Sequence, residues 1–136
     1  MTISEAVSTS KGALWTGRAL TAIVVLFMLF DGAIKLPPLA VVTDTMAQMG
    51  WPADAGTARL LGIIGLISTA LYALPRTSVL GAILLTAYMG GAIATHVRIG
   101  NPLFSHTLFG VYLGVILWGG LYLRDARVRA LIPFGR

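Results

Sequence analysis

The sequence predicts an all-α integral membrane protein, an antiparallel four-helix bundle forming a single membrane domain over residues 1–136. Three observations lead there. Of the 136 residues, 57% are hydrophobic and only 11% are charged, with a mean hydropathy of +0.85. A soluble domain carries about a quarter charged residues. The apolar residues fall into four runs, and a membrane helix needs roughly 20 such residues. The ten Lys/Arg and five Asp/Glu, a net charge of +5, punctuate those runs. This composition excludes a disordered chain and an ordinary soluble enzyme. The absence of cysteine excludes disulfides, thiolate catalysis, iron–sulfur ligation and cysteine-based zinc. No basic stripe interleaved with aromatics is present, so nucleic acid is not an expected partner.

The first span is expected over residues 13–36. Ala19 to Phe30 is uncharged and apolar but for Thr21, Arg18 can snorkel to an interface, and Pro37-Pro38 stops the helix. Met1 to Ser10 lack a basic stretch before a short apolar run and a cleavage site. The first span is therefore expected to be retained as an uncleaved insertion signal. Leu39 to Thr57 reads as a connector, in which Val41 to Met49 can form a short interfacial helix anchored by Trp51. The second span, 58–74, is short enough to stand upright or thin the bilayer. Pro75 to Ser78 makes a tight turn. The third span, 79–96, holds no charge before its terminal His96, and Gly100-Asn101-Pro102 turns the chain into the fourth, 103–123. The basic tail beyond it either continues that helix or lies along an anionic leaflet.

Four spans place both termini on one side. Lys11, Arg18, Arg76, Arg124, Arg127, Arg129 and Arg136 then share that side, against Lys35, Arg59 and Arg98 on the other. The excess predicts cytoplasmic termini. Small residues recur in the spans, and Gly110-x-x-x-Gly114 fits the close-packing motif of membrane helices, read first as packing within the bundle and second as homo-oligomerisation.

Polar residues at membrane depth mark the candidate site. Asp31 lies thirteen residues after Arg18, roughly 20 Å along a helix. A carboxylate at that depth faces a partner or the bundle interior. Lys35 follows it at i+4 in the favourable order. Arg59, His96, Arg98, Asn101 and His106 fall at the same end, so these residues converge on one polar mouth. Asp31 and His96 are the candidates for proton exchange, the catalytic role. Lys35, Arg59, Arg98, Asn101 and His106 are the candidates for ligand binding. The alternative for Asp31 and Lys35 is a local ion pair closing the helix. Two histidines are also the residues that hold haem, but both lie beside one turn, which argues against it. No recognised metal spacing is present. Ser105, His106 and Asp31 formally supply a triad without a nucleophile-elbow motif. Tyr88 and Tyr112 sit deep enough to need hydroxyl partners; core packing is the first reading for both, and lining a cavity for a hydrophobic ligand the second.

The block Pro75 to Phe104, with Ala94-Thr95-His96-Val97-Arg98 at its end, resembles the DoxX-like family of small bacterial membrane proteins. The resemblance continues through Tyr112 to Asp125 and Arg129 to Pro133, and extends to Phe30-Asp31-Gly32-Ala33-Ile34-Lys35-Leu36. It implies a four-helix protein of the bacterial inner membrane. Named relatives are associated with quinone-linked thiosulfate oxidation and membrane oxidoreductase assemblies. Three departures stand out. Many members carry a glutamate in the second span in a Gly-Ile-x-Glu-Leu setting, where this chain reads Gly62-Ile63-Ile64-Gly65-Leu66. The first span of the family often has a small residue where this chain has Asp31, and the usual proline of the fourth span is Gly110 here. Asp31 is thus expected to supply the missing carboxylate from the neighbouring helix.

The expected function is binding of a small hydrophobic or quinone-like molecule in support of a membrane redox process. Quinone is the cofactor class favoured over haem, and the partners are the bilayer and a membrane redox protein. The alternative is a non-catalytic assembly subunit of a membrane oxidoreductase. A channel is disfavoured because the spans lack a polar stripe.

Overall fold

The computed structural model describes residues 9–132. Met1 to Ser8 and the tail from Pro133, with the cation Arg136, lie outside the described residues. The chain is all-α. Helix α1 spans Lys11–Lys35, α2 Ala40–Gln48, α3 Ala55–Ala73 and α4 Ser78–Arg98. A π-helical turn, Leu103–Thr107, leads into α5, Phe109–Arg124, and a short α6, Ala126–Leu131, closes the chain. Four stretches, Lys11–Lys35, Ala55–Ala73, Ser78–Arg98 and Leu103–Arg124, are long and apolar enough to cross a membrane.

Local chemistry explains the boundaries. Ser10 caps α1 by accepting from the Ala13 N–H at 3.1 Å, so α1 starts two residues before the first expected position. It ends at Lys35, because Pro37 and Pro38 cannot donate onward. Asp54 caps α3 by accepting from Thr57 N–H at 2.8 Å, which adds a turn ahead of Ala58. The 19 residues of α3 give roughly 29 Å, enough to span without thinning the bilayer. After Arg124 the backbone of Asp125 is extended, and its side chain caps α6. The tail therefore turns back rather than continuing α5, and Val128 is buried against the core. Among the described residues, only Gly50 and Gly100 occupy the left-handed region, at φ 77 and 69. These are the conformations that let the chain leave α2 and α4 sharply.

The two exposed-end caps also make stability depend on pH. The Thr57 backbone N–H holds the Asp54 carboxyl below the usual range. The Arg127 guanidinium does the same for Asp125. A folded pKa below the unfolded one stabilises the native state above the ordinary Asp value of about 3.9. That contribution is lost as pH falls through the folded value. Asp54→Asn with Asp125→Asn keeps the caps but removes both titrations. Acid melts of this variant are expected to show a weaker fall in stability below about pH 4, and an unchanged slope would refute the assignment.

Close helix contacts set the arrangement, a ring in the order α1, α3, α4, α5. A Cβ on Gly17 would lie 2.7 Å from the Gly120 carbonyl oxygen, and one on Gly32 would lie 2.5 Å from Leu66 Cγ. The start of α1 therefore abuts the end of α5, and the end of α1 abuts α3. Gly81 meets the Tyr72 backbone, and Gly110 meets Ile93. Each neighbouring pair joins a helix start to a helix end, so neighbours run antiparallel. Gly110 serves α4–α5 packing within the chain, the first of the two readings of its motif. The core runs through Val24, Met28, Tyr72, Leu85, Leu113 and Leu117. Ile23, Leu26, Phe30, Ile67, Ile83 and Val115 point outward, the lipid-facing counterpart of that core.

At the end carrying the termini, Tyr72 donates its hydroxyl to the Leu117 carbonyl at 2.7 Å. Arg124 donates to Thr21 Oγ1 and to the Tyr72 carbonyl, both at 2.9 Å. One arginine thus links α1, α3 and α5. At the other end, α2 does not lie apart on the surface. Val42 and Met46 pack with Ala58, Ile34 and Leu61, folding the connector back over the bundle mouth.

Candidate functional site

The mouth leads to a cavity of about 420 Å³ between α1, α4, the start of α5 and the connector. Its walls are mostly apolar. Phe27 and Phe109 meet across it with ring centroids 5.2 Å apart. Asp31, Lys35, Tyr88, Thr95, His96 and His106 supply its polar groups. Few polar groups in an apolar cavity of this size fit a site that orients a small hydrophobic ligand.

Helical spacing places Asp31 and Lys35 on one face of α1, where the Lys35 ammonium donates to Asp31 Oδ2. Lys35 also donates to the Tyr88 hydroxyl at 2.8 Å, and its nitrogen lies 5.4 Å from the Tyr88 ring centroid. The ion pair is largely withdrawn from solvent, the side chains of Lys35 and Asp31 being 16% and 28% exposed. At such sites charges keep their form through partners. The local pair read from the sequence is therefore present, and it faces the cavity.

His96 ends α4, and Asn101 in the following turn places Nδ2 2.7 Å from His96 Nδ1. His106 sits in the π-helical turn, a local widening that recurs at functional sites. Its ring is 5.8 Å from that of His96 at 74°. Ser105 Oγ is 2.7 Å from His106 Nδ1, while Asp31 is taken by Lys35, so the formal triad is not assembled.

Three expected residues, Arg59, Arg98 and Asn101, stand outside the cavity lining. Arg59 donates from Nε to the Leu36 carbonyl at 2.9 Å and from Nη2 to Pro37 at 3.4 Å. Arg98 donates to the Met49 carbonyl and lies against Gly50, where any side chain would meet its guanidinium. Both arginines hold the two ends of the connector. Asn101 acts through His96. Tyr112 is exposed on the outer face.

Met49 and Trp51 are not among the site residues expected from the sequence, and Tyr88 is expected at a cavity only as the second reading. Tyr88 is the partner of Lys35, and Met49 and Trp51 cover the cavity from the connector. The clue to Tyr88 was its hydroxyl at membrane depth, which needs a partner. Nothing local signals that the connector folds inward. Gly65, where the resemblance leads one to expect glutamate, faces this same group. A Cβ there would lie 3.7 Å from Tyr88 Cζ and 3.7 Å from Met28 Cε.

Neither the curated proteins nor the solved structures supply a match. The family model of the DoxX-like family matches residues 19–120, from the first span through most of the fourth. This multi-pass membrane protein belongs to the DoxX-like family.

Proposed function

We propose that the cavity binds a small hydrophobic, quinone-like molecule and that this binding supports a membrane redox process. The observation that carries the reading is the Lys35 ammonium, held by Asp31 and Tyr88 on the wall of an otherwise apolar cavity. An ammonium has three N–H groups. Asp31 and Tyr88 take two, and the third suits a carbonyl on the ligand. The Tyr88 hydroxyl, already accepting from Lys35, donates its own proton to the same head group. Phe27 and Phe109 suit the faces of a flat ring.

Reducing a quinone takes two electrons and two protons. Asp31 and His96 are the groups that exchange those protons, and a membrane redox partner supplies the electrons. Arg59 and Arg98 act through the connector, holding Met49 and Trp51 over the ring. We further place the chain in the bacterial inner membrane with both termini cytoplasmic, from the basic excess at the termini-bearing end.

Trp51 provides the test. A short-tail benzoquinone titrated into the detergent-solubilised protein is expected to quench tryptophan emission saturably, and Trp51→Phe is expected to remove most of that quenching. Quenching that never saturates, or that survives Trp51→Phe unchanged, would refute binding in this cavity. Copurification of a stable oxidoreductase partner with an empty cavity would favour an assembly subunit instead.

A further inference from the structure

A second groove, of about 720 Å³, opens at the opposite end of the bundle, between α1, the α3–α4 turn and the α5–α6 junction. We propose that it binds the phosphate-bearing headgroup of an anionic phospholipid. Arg18, Arg76, Arg124 and Arg127 line it, against the one carboxylate of Asp125. That carboxylate is already engaged, since Arg127 donates to both its oxygens, at 3.1 Å and 2.7 Å.

The four arginines divide into two kinds. Arg124 is fixed by Thr21 and Tyr72, and Arg127 donates to the Pro75 carbonyl at 2.7 Å. These two shape the groove. Arg18 and Arg76 make no hydrogen bond or ion pair among the described residues. Arg18 rests on the Trp15 ring at 5.1 Å from its centroid. Both are exposed, with their guanidinium donors available to an anion. Arginine is suited to phosphate because its planar fork donates two parallel bonds.

The apolar part of the groove selects lipid over a free ion. Ala22 and Val25 lie on the same wall of α1 as Arg18, and Val25 is roughly 10 Å further along the helix. Charge at the rim with apolar surface beneath it matches a phosphodiester followed by glycerol and the first methylenes. Inorganic phosphate would leave that lower wall unused.

The test compares wild type with Arg18→Gln/Arg76→Gln. A control, Lys11→Gln, removes a cation at the same end of the bundle from outside the groove lining. Native mass spectrometry of each, with phosphatidylglycerol or phosphatidylcholine added, reports lipid retention. Wild type and the control are expected to retain phosphatidylglycerol over phosphatidylcholine. The groove variant is expected to lose roughly thirtyfold in apparent affinity, from about 1 kcal/mol per arginine near the surface. Its thermal melt is expected to be unchanged, since neither side chain holds the fold. Ala22→Phe, which narrows the apolar wall, is expected to weaken phosphatidylglycerol but not inorganic phosphate measured by calorimetry. Equal retention of both lipids by wild type would overturn the proposal, as would equal loss in the control. Binding of inorganic phosphate alone would also overturn it, by making the occupant a free anion.

Discussion

Gly81→Ala is expected to destabilise the bundle by about 3 kcal/mol, at the upper end for overpacking a tight contact. The new Cβ would lie 2.1 Å from Tyr72 N, 2.4 Å from its Cα and 2.6 Å from the Leu71 carbonyl carbon. All three are backbone atoms, so no rotamer change relieves the clash. The start of α4 must move away from α3. That movement pulls on Tyr72, which is fully buried and tied to α5 through the Leu117 carbonyl. Gly90, on the same helix, has nothing within 4 Å of an added Cβ. Gly90→Ala is therefore expected to be neutral or stabilising by about 0.5 kcal/mol, because alanine favours helix. Reversible unfolding in mixed micelles distinguishes the two. Equal effects would show that the α3–α4 approach is not the constraint.

Asp31→Asn is expected to cost about 2 kcal/mol and to remove ligand retention. It leaves the Lys35 ammonium at membrane depth with neutral partners alone, the Tyr88 hydroxyl and the new amide oxygen. Hydrogen bonds to charged groups contribute about 1.5–3 kcal/mol, and breaking a withdrawn ion pair leaves a charge uncompensated. Lys35→Met added to Asp31→Asn is expected to recover part of the stability and none of the ligand. Gly65→Glu added to Asp31→Asn carries the argument further. Gly65 faces Tyr88 from α3, so a glutamate there returns a carboxylate to the Lys35 side of the cavity. Rescue of both stability and ligand retention is expected. An Asp31→Asn variant indistinguishable from wild type in both respects would remove Asp31 from the site.

The fold was legible because apolar length and interrupting prolines are properties of the sequence itself. The runs before Pro37 and before Pro75 specify helices that must end there. The boundaries moved by two or three residues where a side-chain cap extended the helix, as Ser10 and Asp54 do. The polar mouth was legible by topology, since helix ends joined by short turns must share a side. Helix rotation was not legible, because every face of these helices is apolar and periodicity says little about direction. That is why Arg59 and Arg98 were grouped with Asp31 and Lys35, although both reach the connector carbonyls. The choice between core and cavity for Tyr88 stays open in the sequence for the same reason. The inward fold of α2 depends on Val42 and Met46 meeting Ala58, a tertiary contact between segments whose spacing carries no local signature.

The central claim is that the cavity holds a lipid-soluble ligand, and Gly91 offers the most direct way to test it. Gly91 lines the cavity, and an added Cβ there meets nothing within 4 Å. Gly91→Phe therefore fills the space without forcing the helices apart. Native mass spectrometry with solvent extraction on nanodisc-purified wild type and Gly91→Phe is the measurement. A small hydrophobic molecule is expected at fixed stoichiometry in wild type, and its loss is expected in a Gly91→Phe protein that still folds. A wild-type protein without such a molecule, or one retained equally by Gly91→Phe, would contradict it.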